Sequence, residues 1–219
     1  MEQDLVLQPN GSGHLHIVYG VKEQDLARMR QMTEQMAALD PSLAPSDVDW
    51  LTAFDSAVIR REWEKMDHDG VRLDDVVTET RDGWKYMKAK IAFESLQHLL
   101  DCGVLSDGHI SLTRGPGGQF GYQQTFDIMG AAKSLPRGVD MATIQPVLTM
   151  MMRDFHARLA VQAPGNILRS NADRVEGRKA IWEYSGGQND LMTRLQNIDI
   201  RMMFDGRGMT ISDARSSGR

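Results

Sequence analysis

Apolar and polar residues alternate with a period of two along several stretches of the chain, which is typical of strands that bury one face. The alternation is clearest over residues 155–161, and residues 14–21 show it as well. Asn-Gly at 10–11 and Asp-Gly at 82–83 accept the positive φ angles of tight turns, so each predicts a hairpin. We predict strands over residues 4–8, 14–21, 71–81, 84–93, 109–113, 119–126, 155–161, 179–185 and 198–204.

Other stretches carry apolar residues at the three- and four-residue spacing of a helix. The first begins at Glu23 and ends at Pro41, and the second follows Pro45 and ends near Gly70. Further helices are predicted over residues 94–101, 140–152 and 187–195. Gly103 is the expected C-terminal stop of the helix over residues 94–101.

The elements recur as a hairpin followed by a helix, about four times, without residue-level identity between the units. This order predicts an α+β fold, a largely antiparallel, curved β-sheet built of hairpin–helix units with helices packed on one face. We expect a single domain over residues 1–204, followed by a flexible tail over residues 205–219. A division into two lobes near residues 103–108 or 134–140 is the alternative.

The composition of the chain excludes several kinds of binding partner and metal site. The chain of 219 residues holds 15 Met and one Cys, and a single cysteine excludes internal disulfides and cysteine-built zinc or iron–sulfur sites. The net charge of −5, without a basic cluster, argues against nucleic-acid binding. The apolar runs are shorter than the roughly 20 residues that span a bilayer, so no transmembrane segment is predicted. No signal peptide is evident at the start of the chain.

No catalytic motif is present, so we predict no catalytic residue and no cofactor. His14 and His16 share one face of a strand, as two metal ligands would, but two solvent-facing side chains are the preferred interpretation. Cys102 lies one helical turn after His98, and we interpret it as a structural thiol rather than a nucleophile. The other titratable residues that an enzyme could use are Asp67 and Asp69.

The methionines cluster. One group shares a helical stripe, and further groups lie at 150–152 and 202–203. Flexible thioether side chains suit surfaces that adapt to apolar partners, such as an apolar groove beneath the sheet, although core filling is the preferred interpretation. The candidate ligand-binding residues are Met29, Met32, Met36, Met150 and Met151.

Residues 155–182 combine an alternating strand, a Pro-Gly pair, Ser170-Asn171, a glycine turn and a strand that bears Trp182. Together with the opening hairpin and residues 82–84, this block resembles the LppM-like family of bacterial envelope proteins. Locally, Asn171 is expected to accept the left-handed geometry of a turn.

The resemblance implies an exported protein of the cell envelope, on its periplasmic or extracytoplasmic face, usually a lipoprotein or membrane-associated, without enzyme activity or catalytic residues. It also implies contact with envelope lipid or glycolipid. The chain lacks an N-terminal lipid-acceptor Cys and an anchor after Phe204. Both, like the signal peptide, are expected to have been removed.

The sequence therefore predicts the soluble portion of an exported envelope protein that is not an enzyme and binds an amphipathic lipid, a glycolipid or an envelope protein. The first alternative is a structural or protein-interaction module with a solid core, no ligand and an exposed apolar patch. The second is an enzyme or a metal-binding domain, which would need convergent titratable groups. The oligomeric state stays open.

Overall fold

The computed structural model describes residues 1–28, 31, 54–65, 68–105, 108–126, 154–186 and 198–215. Twelve strands lie in this part of the chain. They are β1 (Glu2–Leu7), β2 (Gly13–Lys22), β3 (Val71–Arg81), β4 (Trp84–Phe93), β5 (Gly108–Arg114), β6 (Gln119–Phe126), β7 (His156–Gln162), β8 (Ile167–Ser170), β9 (Arg174–Glu176), β10 (Lys179–Ser185), β11 (Ile198–Asp205) and β12 (Ala214–Arg215).

The described helices are few. Helix α1 begins at residue 23 and is described over residues 23–28. Helix α2 spans Ser56–Lys65 and α3 spans Leu96–Asp101, with a 3₁₀ turn at Pro116–Gly118. The predicted helices over residues 140–152 and 187–195 lie outside the described residues.

The strands form two sheets. The first sheet has the order β3-β4-β2-β1-β7-β10-β9, and the second has the order β12-β5-β6-β11-β8. Neighbouring strands are antiparallel except β1 and β7, which are parallel, with Leu5 opposite Val161. The predicted hairpin at 82–83 is confirmed, because Asp82 and Gly83 have φ angles of +54° and +72° and join β3 to β4.

The inner faces of the two sheets share one hydrophobic core. Leu5, Leu15 and Leu159 project into it from the first sheet, and Phe120 and Phe204 from the second. Alternation along each strand places these side chains inward and their sequence neighbours outward. Helix α3 adds three side chains to the same core, Leu96, Leu99 and Leu100.

The predicted α+β fold with helices packed on one face is wrong, because the described chain is mainly β. The apolar face of the first sheet is buried against the second sheet, and α2 buries none of its residues. The tail predicted from residue 205 also needs correction. Ile211 and Ala214 are buried in the core, and β12 pairs with β5.

Three polar side chains meet inside the core where the two sheets face each other. The Tyr122 hydroxyl donates to Gln124 Oε1 at 2.8 Å, and Gln3 Nε2 of the first sheet donates to the same oxygen at 3.4 Å. All three residues are buried. Burial raises the pKa of Tyr122, so its hydroxyl stays protonated and remains a donor.

Replacing Tyr122 with phenylalanine is expected to lower the free energy of unfolding by about 1–2 kcal/mol, because Gln124 Oε1 keeps only the longer bond from Gln3. Urea denaturation with an unchanged m-value measures the loss. The control is Tyr86→Phe on the half-buried Tyr86 of β4, which is expected to change stability by less than about 0.5 kcal/mol. Equal losses in the two variants would contradict a specific role for the buried hydroxyl.

Candidate functional site

A groove of about 660 Å³ lies on the outer face of the second sheet, and we call it the outer groove. Strand β6 explains its position, because Phe120, Tyr122 and Gln124 are buried toward the core while Gly121 and Gln123 point outward. The groove is lined by residues of β5, β6, β8 and β11 and of the chain that follows β8, namely Ser111, Thr113, Gly121, Tyr122, Gln123, Arg169, Ser170, Asn171, Arg201, Met202 and Met203.

Gly121 forms the floor of the outer groove. It lies opposite Thr113 on β5 and opposite Met203 on β11, and Met203 lies opposite Arg169 on β8. Among the described residues, a Cβ placed on Gly121 would meet only Thr113 Oγ1, at 3.6 Å. The missing side chain therefore leaves open space between larger neighbours.

One wall of the groove is charged. Arg201 donates to Asp199 Oδ2 through Nε at 2.7 Å and through a second guanidinium nitrogen, and Gln123 Nε2 donates to Asp199 Oδ1 at 3.1 Å. The hydrogen bonds from Arg201 hold the pKa of Asp199 below its ordinary value, so Asp199 is an anion at neutral pH. The same contact raises the pKa of Arg201. The Arg201 guanidinium is therefore already paired within the protein.

Arg169 differs from Arg201. It is exposed, it lines the groove beside Met203, and no carboxylate of the described residues lies within ion-pair distance of its guanidinium. Met203 is 38% exposed, so its thioether adds an apolar contact at the centre of a polar face. The outer groove thus combines guanidinium, amide and hydroxyl groups with one apolar side chain.

Ser170 and Asn171 form the end of the groove and connect the two sheets. Asn171 Oδ1 accepts from Trp182 Nε1 at 3.1 Å and from the Arg201 N–H at 2.8 Å, and Asn171 Nδ2 donates to the Asp199 carbonyl at 2.7 Å. Ser170 Oγ donates to the Arg201 carbonyl at 3.1 Å. Asp82 is the one described non-glycine residue with positive φ, so the expected left-handed turn at Asn171 is wrong. Its three hydrogen bonds are the reason for an asparagine there.

The two histidines that were considered as metal ligands lie on the outer face of the first sheet, away from the outer groove. His16 lies opposite Asp4 across β1 and β2, and His14 lies opposite Val6. Asp4 Oδ2 is already bound by Lys179. Within the described ranges, no group of three or more His, Cys, Asp or Glu side chains is placed to hold a metal ion.

Cys102 lies at the C-terminal end of α3, where its Sγ donates to the Leu99 carbonyl at 3.1 Å. Burial raises the pKa of the Cys102 thiol, which disfavours the thiolate that a nucleophile needs. His98 Nδ1 is buried without a hydrogen-bond partner among the described residues. These observations favour the structural interpretation of Cys102.

The structure does not bring the predicted ligand-binding methionines into a described site. All five lie outside the described residues: Met29, Met32, Met36, Met150 and Met151. Asp67 lies outside them as well, and Asp69 is exposed. The groove residues Gly121, Arg169 and Arg201 were missed. The outward register of β6 would have indicated Gly121, whereas no sequence pattern marks the two arginines.

No protein-family model matches this sequence, and no curated protein matches it either. One of the solved structures that this chain matches is the NMR structure of the folded domain of LppM from Mycobacterium tuberculosis. The chains are 15% identical and superpose with a TM-score of 0.46, over 96% of this chain and 92% of that chain. The family membership indicated by the sequence motifs stays a prediction.

Every helix in the described part of the chain is too short or too polar to cross a membrane.

Proposed function

We propose that the chain is a non-enzymatic binding domain of an exported bacterial cell-envelope protein and that it holds the polar headgroup of an amphipathic lipid or glycolipid. This proposal is based on the outer groove. Its volume of about 660 Å³ is in the range of small-molecule sites, and most of its lining residues lie on the outer face of the second sheet. A headgroup can therefore bind there while its acyl chains stay outside the protein.

The chemistry of the lining suits a hydroxylated headgroup. Gln123 and the hydroxyls of Ser111 and Thr113 can exchange hydrogen bonds with sugar or glycerol hydroxyls, and Asn171 Nδ2 has one N–H left to donate. Arg169 can donate a charge-assisted hydrogen bond to an anionic group, because no carboxylate of the described residues forms an ion pair with its guanidinium. These groups recognise and orient a ligand, which is why binding is proposed rather than acid–base chemistry.

The envelope setting of the proposal rests on the sequence motifs. Two of them are in direct contact, because Asn171 of the Ser-Asn pair accepts a hydrogen bond from the Trp182 indole. The same asparagine ends the outer groove. The Ser-Asn pair thus contributes both to the motif and to the lining of the proposed binding site, and this supports a link between the motif and the groove.

The decisive experiment fills the groove floor. The Gly121→Ile variant adds a strand-favouring side chain into open space, so we expect it to fold and to bind at least about tenfold more weakly than the wild type. Binding is measured by NMR titration with octyl glucoside below its micelle concentration, and separately with dihexanoylphosphatidylglycerol. Methyl glucoside reports on the headgroup alone.

The matched control is Thr125→Ile, which places the same side chain on the outer face of β6 but outside the groove lining. This variant is expected to bind like the wild type. The proposal is wrong if neither amphiphile shifts the resonances of the groove residues. It is also wrong if Gly121→Ile and Thr125→Ile bind equally well.

A further inference from the structure

Both sheets end on one flank in short strands, β8 and β9, which have no strand partner on their outer side among the described residues. Residues 171–173 connect β8 directly to β9, so the two edges are neighbours. Each strand exposes an apolar side chain, Leu168 at 51% and Val175 at 47%. An open strand edge pairs readily with another chain unless something covers it.

The other two sheet edges are covered. Gln97 of α3 accepts a hydrogen bond from the Arg215 N–H at 2.9 Å and donates one to the Arg215 carbonyl at 3.1 Å. Its side-chain amide therefore makes the hydrogen bonds with β12 that a neighbouring strand would make. On β3, Arg60 of α2 donates to the Val76 carbonyl at 3.0 Å and to Asp75 Oδ1 at 2.8 Å. No comparable side chain of the described residues covers β9.

The register of β9 shows which backbone groups face outward. Glu176 pairs with Lys179 beside the turn that begins at Gly177, and Val175 pairs with Ala180. In a two-residue hairpin the pair next to the turn exchanges its hydrogen bonds, and the next pair does not. The N–H and C=O of Val175 therefore point away from β10, toward the open side.

We infer that β9 pairs antiparallel with β9 of a second copy of this chain, centred on Val175. In this register the two Val175 residues exchange a pair of backbone hydrogen bonds. Arg174 of each copy lies opposite Glu176 of the other, so the three-residue strand is complementary in charge to itself. A symmetric dimer requires such self-complementarity of the surface that it shares.

The charged side chains are accessible for this exchange. Arg174 Nε lies 2.7 Å from Glu176 Oε1 within the chain, and the two side chains are 53% and 57% exposed. Exposed ion pairs contribute little to stability, so changing one partner is compatible with folding. In the dimer the two intrachain Arg174–Glu176 pairs, one in each copy, are exchanged for two pairs between the copies, and the first sheet continues from one copy into the other. Arg174 also lies 3.7 Å from Glu183 Oε1 within its own chain.

The contact is small, so the dimer is weak. Three strand residues and Leu168 bury less surface than a standard interface, and we expect a dissociation constant on the order of 0.1–1 mM. No residue of β9 lines the outer groove, although β8 of the same flank does. Substitutions at Arg174 and Glu176 therefore test self-association, whereas Gly121→Ile tests ligand binding.

A charge-swap experiment tests the pairing. Arg174→Glu places acidic residues opposite each other, and Glu176→Arg places basic residues opposite each other, so each variant alone is expected to dimerise at least about tenfold more weakly than the wild type. A one-to-one mixture of the two variants restores both opposite-charge contacts and is expected to dimerise like the wild type. Sedimentation equilibrium of the full chain measures all three samples. Circular dichroism checks that each variant is folded.

Arg72→Glu on β3, the opposite edge of the first sheet, is the control and is expected to leave dimerisation unchanged. A wild type that stays monomeric up to about 1 mM would overturn the inference. So would a dimer that both single variants form normally, since another surface would then carry it. A mixture that remains monomeric while the wild type dimerises would also reject the proposed register.

Discussion

The Phe204→Ala variant is expected to lose about 3–5 kcal/mol of unfolding free energy. Phe204 is fully buried in the shared core and stacks on Phe120 with ring centroids 5.7 Å apart. Truncation removes a large apolar surface and leaves a cavity, because the neighbouring strands are held by their own pairing. Denaturation in urea, followed by circular dichroism, measures the loss.

Met203 provides the matched control for this prediction. It is the preceding residue of β11, it points outward into the groove, and Met203→Ala is expected to cost less than about 1 kcal/mol. The contrast tests the register of β11 directly. If the alanine at 203 destabilised the chain as much as the alanine at 204, the assignment of inner and outer faces would be wrong.

The Gly165→Ala variant is expected to lose at least about 3 kcal/mol of unfolding free energy or to fail to fold. A Cβ at Gly165 would lie 1.8 Å from the Asp205 carbonyl oxygen and 3.0 Å from its carbon, so it collides with the backbone of β11. The Asp205 N–H donates to the Asn166 carbonyl at 2.9 Å, which ties the two segments together. Neither segment can move away without breaking that bond.

Gly115→Ala is the comparison for this variant. Gly115 has a φ of −102°, and a Cβ there would meet only the Gln119 carbonyl oxygen, at 3.7 Å, among the described residues. Its substitution is expected to change stability by less than about 0.5 kcal/mol. The melting temperatures of the two variants measure the difference. A Gly165→Ala protein that melts like Gly115→Ala would show that the close approach to Asp205 does not hold in solution.

Local patterns in the sequence predicted the hairpins well. The dipeptide Asp82-Gly83 has the positive φ angles that a two-residue turn needs, and the alternation over residues 155–161 coincides with β7. These features depend on neighbours in the sequence. Hairpin turns and single strands can therefore be predicted from short segments of the sequence.

The division of the strands into two sheets could not be predicted in the same way. Each hairpin has one apolar face, and the sequence does not say whether a helix or another hairpin covers it. Strand β1 pairs with β7, far along the chain, and β11 joins β6 to β8. Packing between distant side chains decides these pairings. Strand β9, whose three residues are all exposed, shows no alternation at all.

The candidate site was harder to predict than the fold. The five candidate ligand-binding methionines lie outside the described part of the chain, whereas the groove depends on the absent side chain of Gly121. A glycine within a strand indicates weak local structure or a close approach, and only the register shows that Gly121 faces outward. Arg169 lies beside the groove because β8 pairs with β11, which places Arg169 opposite Met203.

The parallel pairing of β1 with β7 has a consequence for biosynthesis. Strands β1 to β4 are synthesised before β7, and they occupy one end of the first sheet, so their β1 edge has no partner until β7 follows. Long-range pairing of this kind slows folding and leaves the nascent edge open to wrong partners. A fragment that ends before β7 is therefore expected to aggregate more readily than the whole chain.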